Sequence, residues 1–575
     1  MGAISELGGF VRSRAWANAL RRPRIYAGLL LAGASLGVSQ PAAAYYIGPS
    51  YLKIPGIKGY AKSSAHKGWI RAEANYWSDR PALREIRGIS GKESGLKFSG
   101  PMTPATGPSS LSLAIDKGNP ALPGLMALCH SNAPIRELAF AESSEMERHP
   151  QEHGPRPGDV PEFYEYTLRD VRLTCPVVDG APEQAFGLHF QSIEWLNYKP
   201  QPAPRPLTTL PANLPAAPRG GHSRAFVISW FAPIADANDR QCPQMNRKPT
   251  QDEYYALMPP ARAAQQRAAL SGKGGANTTV LPFRGPDEMN VTMLPGIVAD
   301  PGFITPAADI VRGFDLDGND GSGSPPSRTR AHQNFTSPDG RKGIDNQLFV
   351  VQGCIEGWRR NGFLPMIGNE LRRAGGLSIL VEVSGIDDEQ NDNDVAVTIL
   401  YSADPMRRDG TSKTVLPDYT FRANDDPEFT QDFARLKARI VNGVVITDRL
   451  DKIVMHEGPA TTWTLADARM RIEFQPDGGM KATLGGYRDW REYLAAAFFR
   501  SSDYENTIGF NSPGMYNAVR RAADGLRDPQ TGEFDGISAA YEMEGVNAYL
   551  PPEQEARLAA GGRFTKDAGH LASAQ

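Results

Sequence analysis

Histidine is scarce in this 575-residue chain: the nine copies sit singly, and no HExxH or HxH spacing occurs, which argues against a zinc enzyme. There is no G-x-S-x-G elbow, and Ser64-x-x-Lys67 is too short a pattern to support a nucleophilic serine. Paired carboxylates for glycoside hydrolysis stay open, because their spacing is set in three dimensions. Basic excess is also missing: 62 Lys and Arg face 65 Asp and Glu, for a net charge of -3. Nucleic acid and anionic membranes are therefore poor partners. No stretch reaches the roughly 20 apolar residues that a membrane span needs. Only four cysteines are present, Cys129, Cys175, Cys242 and Cys354, and their spacing fits no zinc knuckle.

What is present begins with a leader-like segment. Arg21, Arg22 and Arg24 precede a short apolar run, Ile25 to Val38, and Pro41-Ala42-Ala43-Ala44 offers small residues for a signal peptidase. The expectation is an exported, periplasmic or secreted protein with Tyr45 at its mature start. Removing residues 1 to 44 takes away five Arg and Glu6 and moves the charge from -3 to -7. Export permits disulfides, and four cysteines allow three connectivities. Pairing of Cys129 with Cys175 and of Cys242 with Cys354 is expected, since each pair lies on one side of a proline-rich segment, Pro200 to Gly221, that reads as an extended spacer or an arm packed over a domain.

Before that spacer the pattern is strand-rich. Leu52 and Ile54 flank Lys53, and Ile70, Ala72, Ala74 and Tyr76 alternate with polar residues. Tyr164 to Cys175 and Phe186 to Trp195 alternate with one phase slip each, which suggests bulges. One helix is expected from Asn119-Pro120, with Leu122, Leu125, Met126 and Cys129 on its apolar face. Many strands and one short helix make a small barrel.

Five blocks in this unit, LKIPGIKG, AHKGWI, IDKGNPAL, YEYTLRDVRL and FGLHFQSIEW, follow one another across residues 51 to 198. In this order they resemble the Hcp (haemolysin-coregulated) proteins, the ring-forming tube proteins of type VI secretion. The resemblance implies a two-sheet β-barrel with a flanking helix, self-association into rings, and no catalytic residues. Arg148 to Pro161 stands as an insertion, and Asn119 stands where Ser is common in the family.

After the spacer, Ala225 to Phe231 reads as a strand, and helical periodicity runs from Ile344 to Trp358 through Gly353 and Gly357. Strands follow over Leu377 to Val383 and Val395 to Tyr401. Asn442-Gly443 marks a two-residue hairpin, and Pro476 to Gly479 another. The expectation over 222 to 486 is a β-sandwich, closed by a helical segment at 487 to 560 and a disordered tail at 561 to 575. The fold class is thus mainly β.

Two loops concentrate hard oxygen ligands: Asp315, Asp317, Asn319 and Asp320, and Asp387, Asp388, Asp392 and Asp394. Calcium at the second loop is one reading; tight turns that favour Asp, Asn and Gly are the other. The first loop departs from an EF-hand because Gly falls at its seventh position and Pro326 replaces the bidentate acid. His66, inside AHKGWI, is expected to serve a turn or strand. The functional expectation is an exported structural or binding protein: a ring-forming Hcp-like barrel fused to a recognition domain with a secretion-system or cell-surface partner. The alternative is a periplasmic or secreted hydrolase with its site in residues 222 to 550.

Overall fold

The computed structural model describes residues 44–61, 66–77, 99–100, 109–143, 163–175, 177–196, 212–261, 263–264, 267, 294–375, 377–456, 462–498, 505–528 and 532–564. Residues 1–43 of the expected leader, the insertion at 148–161, residues 200–211 and residues 565–575 of the expected disordered tail lie outside these, whereas Gly562–Arg563 of that tail forms a short strand. Residues Ala44 to Gln575 form one compact unit that is mainly β and contains two closed barrels.

The first barrel uses β1 (Ala44–Lys53), β2 (Ile70–Trp77), β3 (Ser109–Asp116), β4 (Ile135–Ser143), β5 (Phe163–Thr174) and β6 (Glu183–Phe190). Its ring runs β5-β4-β1-β2-β3-β6 and closes where β6 meets β5, every pair antiparallel. Inward residues follow the period-two pattern: Leu52, Ile70, Ala72, Leu111, Leu113, Phe140, Leu168 and Leu188 share one core. In β5 the inward set slips from Tyr166 and Leu168 to Val171 and Leu173. Asp170, at φ 52°, takes up the slip. Helix α1 (Leu122–Ser131) starts two residues later than expected and without a side-chain cap: Asn119 Oδ1 accepts from the backbone N–H of Ala121, before the helix, at 3.0 Å, and Pro123 sits in the first turn. Its missing N–H belongs to a group that no helix satisfies there.

The second barrel uses β7 (His222–Pro233), β8 (Ser378–Ile386), β9 (Asn391–Ser402), β10 (Ala434–Val441), β11 (Val444–Thr447), β12 (Leu450–His456), β13 (Thr462–Phe474), β14 (Met480–Asp489) and β15 (Phe534–Tyr549). The ring is β7-β8-β9-β10-β11-β13-β14-β15 and returns to β7, with β12 added on β13. This corrects the expected sandwich and the expected helical span at 487 to 560. β15 pairs with β14 from Gly536 to Gly545 and with β7 from Tyr541 to Ala548, so it closes the sheet. Its sequence, FDGISAAYEMEGVNAY, has too many Gly, Ala and Glu to read as a strand, and two flanking strands supply what propensity does not. Glycine fits at Gly545, where a Cβ would meet Met480 Cγ at 3.0 Å and Phe226 Cβ at 3.1 Å.

Around this barrel lie α2 (Gln251–Ala256), α3 (Gln347–Gln352), α4 (Phe363–Arg373), α5 (Pro427–Thr430), α6 (Trp490–Phe498), α7 (Ser512–Ala522) and α8 (Pro552–Ala560). The periodicity expected from Ile344 to Trp358 yields only α3 and a 3-10 turn at Glu356–Trp358, interrupted after Gly353. Of the two forms expected for the proline-rich segment, its described end takes that of a packed arm. Asn213–Leu214 pairs with Gly562–Arg563, and buried Arg435 donates to the carbonyls of Pro215 at 2.8 Å and Leu558 at 2.7 Å. The arm and α8 thus cover one flank of the sheet, and β8 is buried along its whole length.

Candidate binding cleft and polar clusters

A cleft of about 680 Å³ opens beside α4, lined by Asp236, Glu356, Arg359, Arg360, Phe363 and Thr507 together with neighbouring backbone. Two close approaches shape it. A Cβ at Gly357 would lie 2.5 Å from Ile508 Cα, and one at Gly362 would lie 2.3 Å from the Glu356 carbonyl oxygen. The opposite wall is a single π-turn, Glu505–Gly509. Buried Glu505 pins that turn by accepting from the Tyr254 hydroxyl at 2.5 Å and from the Ser512 amide at 2.7 Å.

Arg360 is fully engaged: its guanidinium lies 4.5 Å over the Trp230 ring and donates to Glu542 at 2.6 Å and Glu544 at 2.9 Å. Arg359 differs. It approaches Asp239 at 3.5 Å through Nη1, whereas its buried Nε and Nη2 have no hydrogen-bond partner among the described residues. The N-terminus of α4 faces the same region with Gly362 as its cap residue, no side-chain cap and no acid in its first turn. Free guanidinium donors and a positive helix end favour an anionic group. No imidazole, thiol or amine lines the cleft.

The two barrels meet through partly buried charge. Tyr516 and Arg520 of α7 reach Glu183 and Asp116: the tyrosine hydroxyl donates to Glu183, and Arg520 donates to Asp116 at 2.7 Å. Arg520 also lies 3.7 Å from Glu183, and Arg491 lies 3.9 Å from Glu73. Burial pushes Glu183 up to about 7, against the Tyr516 hydrogen bond and the Arg520 charge.

Each cysteine expectation can be placed. The structure joins Cys129 to Cys175 and Cys242 to Cys354 as disulfides, with Cα separations of 6.0 and 5.5 Å. The Cys242 bridge supports the segment before the cleft, where Asn246 bonds the Cys354 carbonyl through its backbone at 2.9 Å and its side chain at 3.2 Å.

The acidic loops behave differently from each other. Asp387, Asp388, Asp392 and Asp394 lie at the β8–β9 turn, and all but Asp392 are exposed. Asp392 accepts from the backbone of Asp387 at 2.8 Å, Asp388 at 3.4 Å and Asp394 at 3.0 Å, a turn role that holds its carboxyl below the usual range. The four do not gather as a metal cluster. Among the described residues, the group whose ligand oxygens lie within 4.8 Å of one another is Asp315, Asp317 and Asp345. Asp345 escaped the sequence reading because it stands alone, 28 residues after Asp317.

His332 belongs to the same neighbourhood. Its Nδ1 donates to the Arg330 carbonyl at 2.7 Å, and its Nε2 lies 2.7 Å from Asp345 and 3.7 Å from Asp524. Burial alone would lower its pKa; the Asp345 hydrogen bond and the Asp524 charge outweigh that and hold it at about 9. Burial raises Asp524 to about 7. His66, by contrast, stacks on Tyr51 at 4.8 Å and meets Glu165 at 2.9 Å, a packing role at the strand entrance.

No protein-family model matches the chain, and neither does any curated protein. Among solved structures the chain is similar to a crystal structure of Hcp2 from Salmonella typhimurium, at 16% identity and a TM-score of 0.16, covering 26% of this chain and 80% of that one. Hcp1 from the same organism gives 17% identity and a TM-score of 0.17, covering 27% and 87%. A type VI secretion system effector from Yersinia pestis gives 17% identity and a TM-score of 0.16, covering 24% and 81%. The similarity is to an Hcp-like segment of about a quarter of the chain.

Proposed function

We propose that this chain is an exported structural binding protein, in which the six-stranded barrel is a self-associating, tube-protein-like module. In this reading the eight-stranded barrel presents a recognition cleft. The observation that carries the recognition half is Arg359: two buried, unpartnered guanidinium nitrogens beside an uncapped helix start are costly unless an acceptor arrives. The chemistry suits a carboxylate, sulfate or phosphate group on a secretion-system or cell-surface partner.

Titration of the full chain with inorganic sulfate, phosphate and a short acidic peptide, followed by calorimetry, tests the cleft. Binding that is lost in Arg359→Ala supports the reading, and binding unaffected by that change defeats it. Native mass measurement tests self-association: a strictly monomeric protein at high concentration removes the ring inference. N-terminal sequencing tests export, because intact residues 1 to 44 on soluble cytoplasmic protein would end it.

A further inference from the structure

The loop from Asp315 to Asp345 carries a buried cluster that the binding reading does not use. Asp317 is 6% exposed and Asp345 is fully buried, yet Asp315 and Asp317 form no ion pair among the described residues. Their oxygens are oriented by the chain itself. Asp345 Oδ2 accepts from the amides of Leu316 at 2.7 Å and Asp317 at 3.2 Å, Asp317 Oδ1 from Asn319 at 2.8 Å, and Asp315 Oδ1 from Gly318 at 2.6 Å. Each carboxylate offers about four lone-pair sites, so all three keep capacity for another contact.

A second observation concerns the same neighbourhood. Among the described residues the Tyr487 hydroxyl, on a side chain only 2% exposed, has no hydrogen-bond partner, and Asp524 Oδ2 has only the His332 imidazole at 3.7 Å. The carboxylates acting on that phenol are Asp524, Asp345 and Asp317. The ring is packed with Phe314 and Leu316 and faces Gly525, where a Cβ would lie 2.3 Å from Tyr487 Cε1. A phenol confined among carboxylates that it does not bond leaves polar groups wanting a partner.

We infer that Asp315, Asp317 and Asp345 form a calcium site, beside which the Tyr487 ring of β14 packs on Leu316, the residue between two of the ligands. Calcium takes oxygen ligands at about 2.3–2.6 Å, so oxygens on opposite sides of the ion stand about 5 Å apart. The three ligand atoms already lie within 4.8 Å of one another. His332 holds Asp345 Oδ1 from behind, the position of an outer hydrogen bond that fixes a ligating carboxylate.

Terbium, a calcium mimic whose emission a nearby tyrosine sensitises, reads the site directly in the full chain stripped by chelator. Tyrosine-excited terbium emission that calcium competes away, together with a calcium-dependent rise in Tm, is the expected result. Asp317→Asn removes a ligand charge and should weaken calcium competition by roughly tenfold or more. Tyr487→Phe should lose most of the emission while keeping the calcium-dependent Tm rise. Asp392→Asn, in the other acidic loop, should change neither. Should Asp317→Asn fail to fold, Asp315→Asn at the half-exposed lip replaces it. Absence of both emission and Tm shift in the native chain overturns the inference. So does calcium competition that Asp315→Asn leaves unchanged, or emission that is indifferent to Tyr487→Phe or disappears in Asp392→Asn.

Discussion

The two barrels close in opposite ways. The first is made from consecutive sequence, β1 to β6, between residues 44 and 190, and its closing contact joins neighbours in the chain, β5 and β6. The second starts at β7 and cannot close until β15, more than 300 residues later, slides between β7 and β14. Closure by local hairpins tolerates a change elsewhere, whereas closure by a distant strand makes one end of the chain a structural hostage of the other. The partly buried joint from Arg520 and Tyr516 to Asp116 and Glu183 then couples the two modes.

The largest effect is expected when the chain is ended after Asp528. The second barrel then loses a strand with full ladders on both sides and should unfold, while the first barrel keeps its amide protection in hydrogen exchange. Equal loss of protection in both would show that the first barrel has no independent stability.

Disulfide removal comes next. The bridges span sequence separations of 112 and 46 residues. By loop-closure entropy, Cys242→Ser should cost about 5 kcal/mol and Cys129→Ser about 4 kcal/mol in denaturant unfolding. Free thiols in the purified protein, read by mass spectrometry, would remove the basis for both numbers.

The joint should respond to pH. Glu183 is raised to about 7, above its unfolded value of 4.5, so the folded state holds a proton that the unfolded state has released between these limits. Stability from this group is present at low pH and falls as pH rises from about 4.5 to about 7. The effect is at most of order 3 kcal/mol, and Glu183→Gln should flatten that part of the Tm-against-pH curve. A curve unchanged by the substitution would separate the joint from the pH response. The smallest effect is expected at Asp392→Ala, which removes a turn acceptor for three backbone amides and should cost about 1 kcal/mol of global stability.

How far the sequence foretold these features follows from the range of the forces involved. Alternation at Leu52, Ile70, Ala72 and Ala74 marked strands because each records its own burial. Asn442-Gly443 announced its hairpin because both residues need positive φ, and they show 51° and 76°. β15 was hidden, since Gly536, Ala539, Ala540 and Gly545 favour no strand until β7 and β14 hold them. The candidate sites were harder still. Arg359 gains meaning from Ile508 and the π-turn across the cleft, and His332 meets Asp524 from 192 residues away. The turn acids at 387 to 394 were conspicuous for the opposite reason, a local composition set by backbone geometry.

The late arrival of β15 also sets a clock. A chain that emerges N-terminus first can complete the six-stranded barrel once residue 190 is free, at a time when the eight-stranded barrel has no means of covering β7 and β14. Until Tyr549 appears, those two strands present unpaired edges and apolar faces to whatever is nearby. Synthesis rate, temperature and any chaperone that shields strand edges should therefore govern the yield of this protein more than its final stability does. The vulnerable interval is the time needed to deliver the last strand.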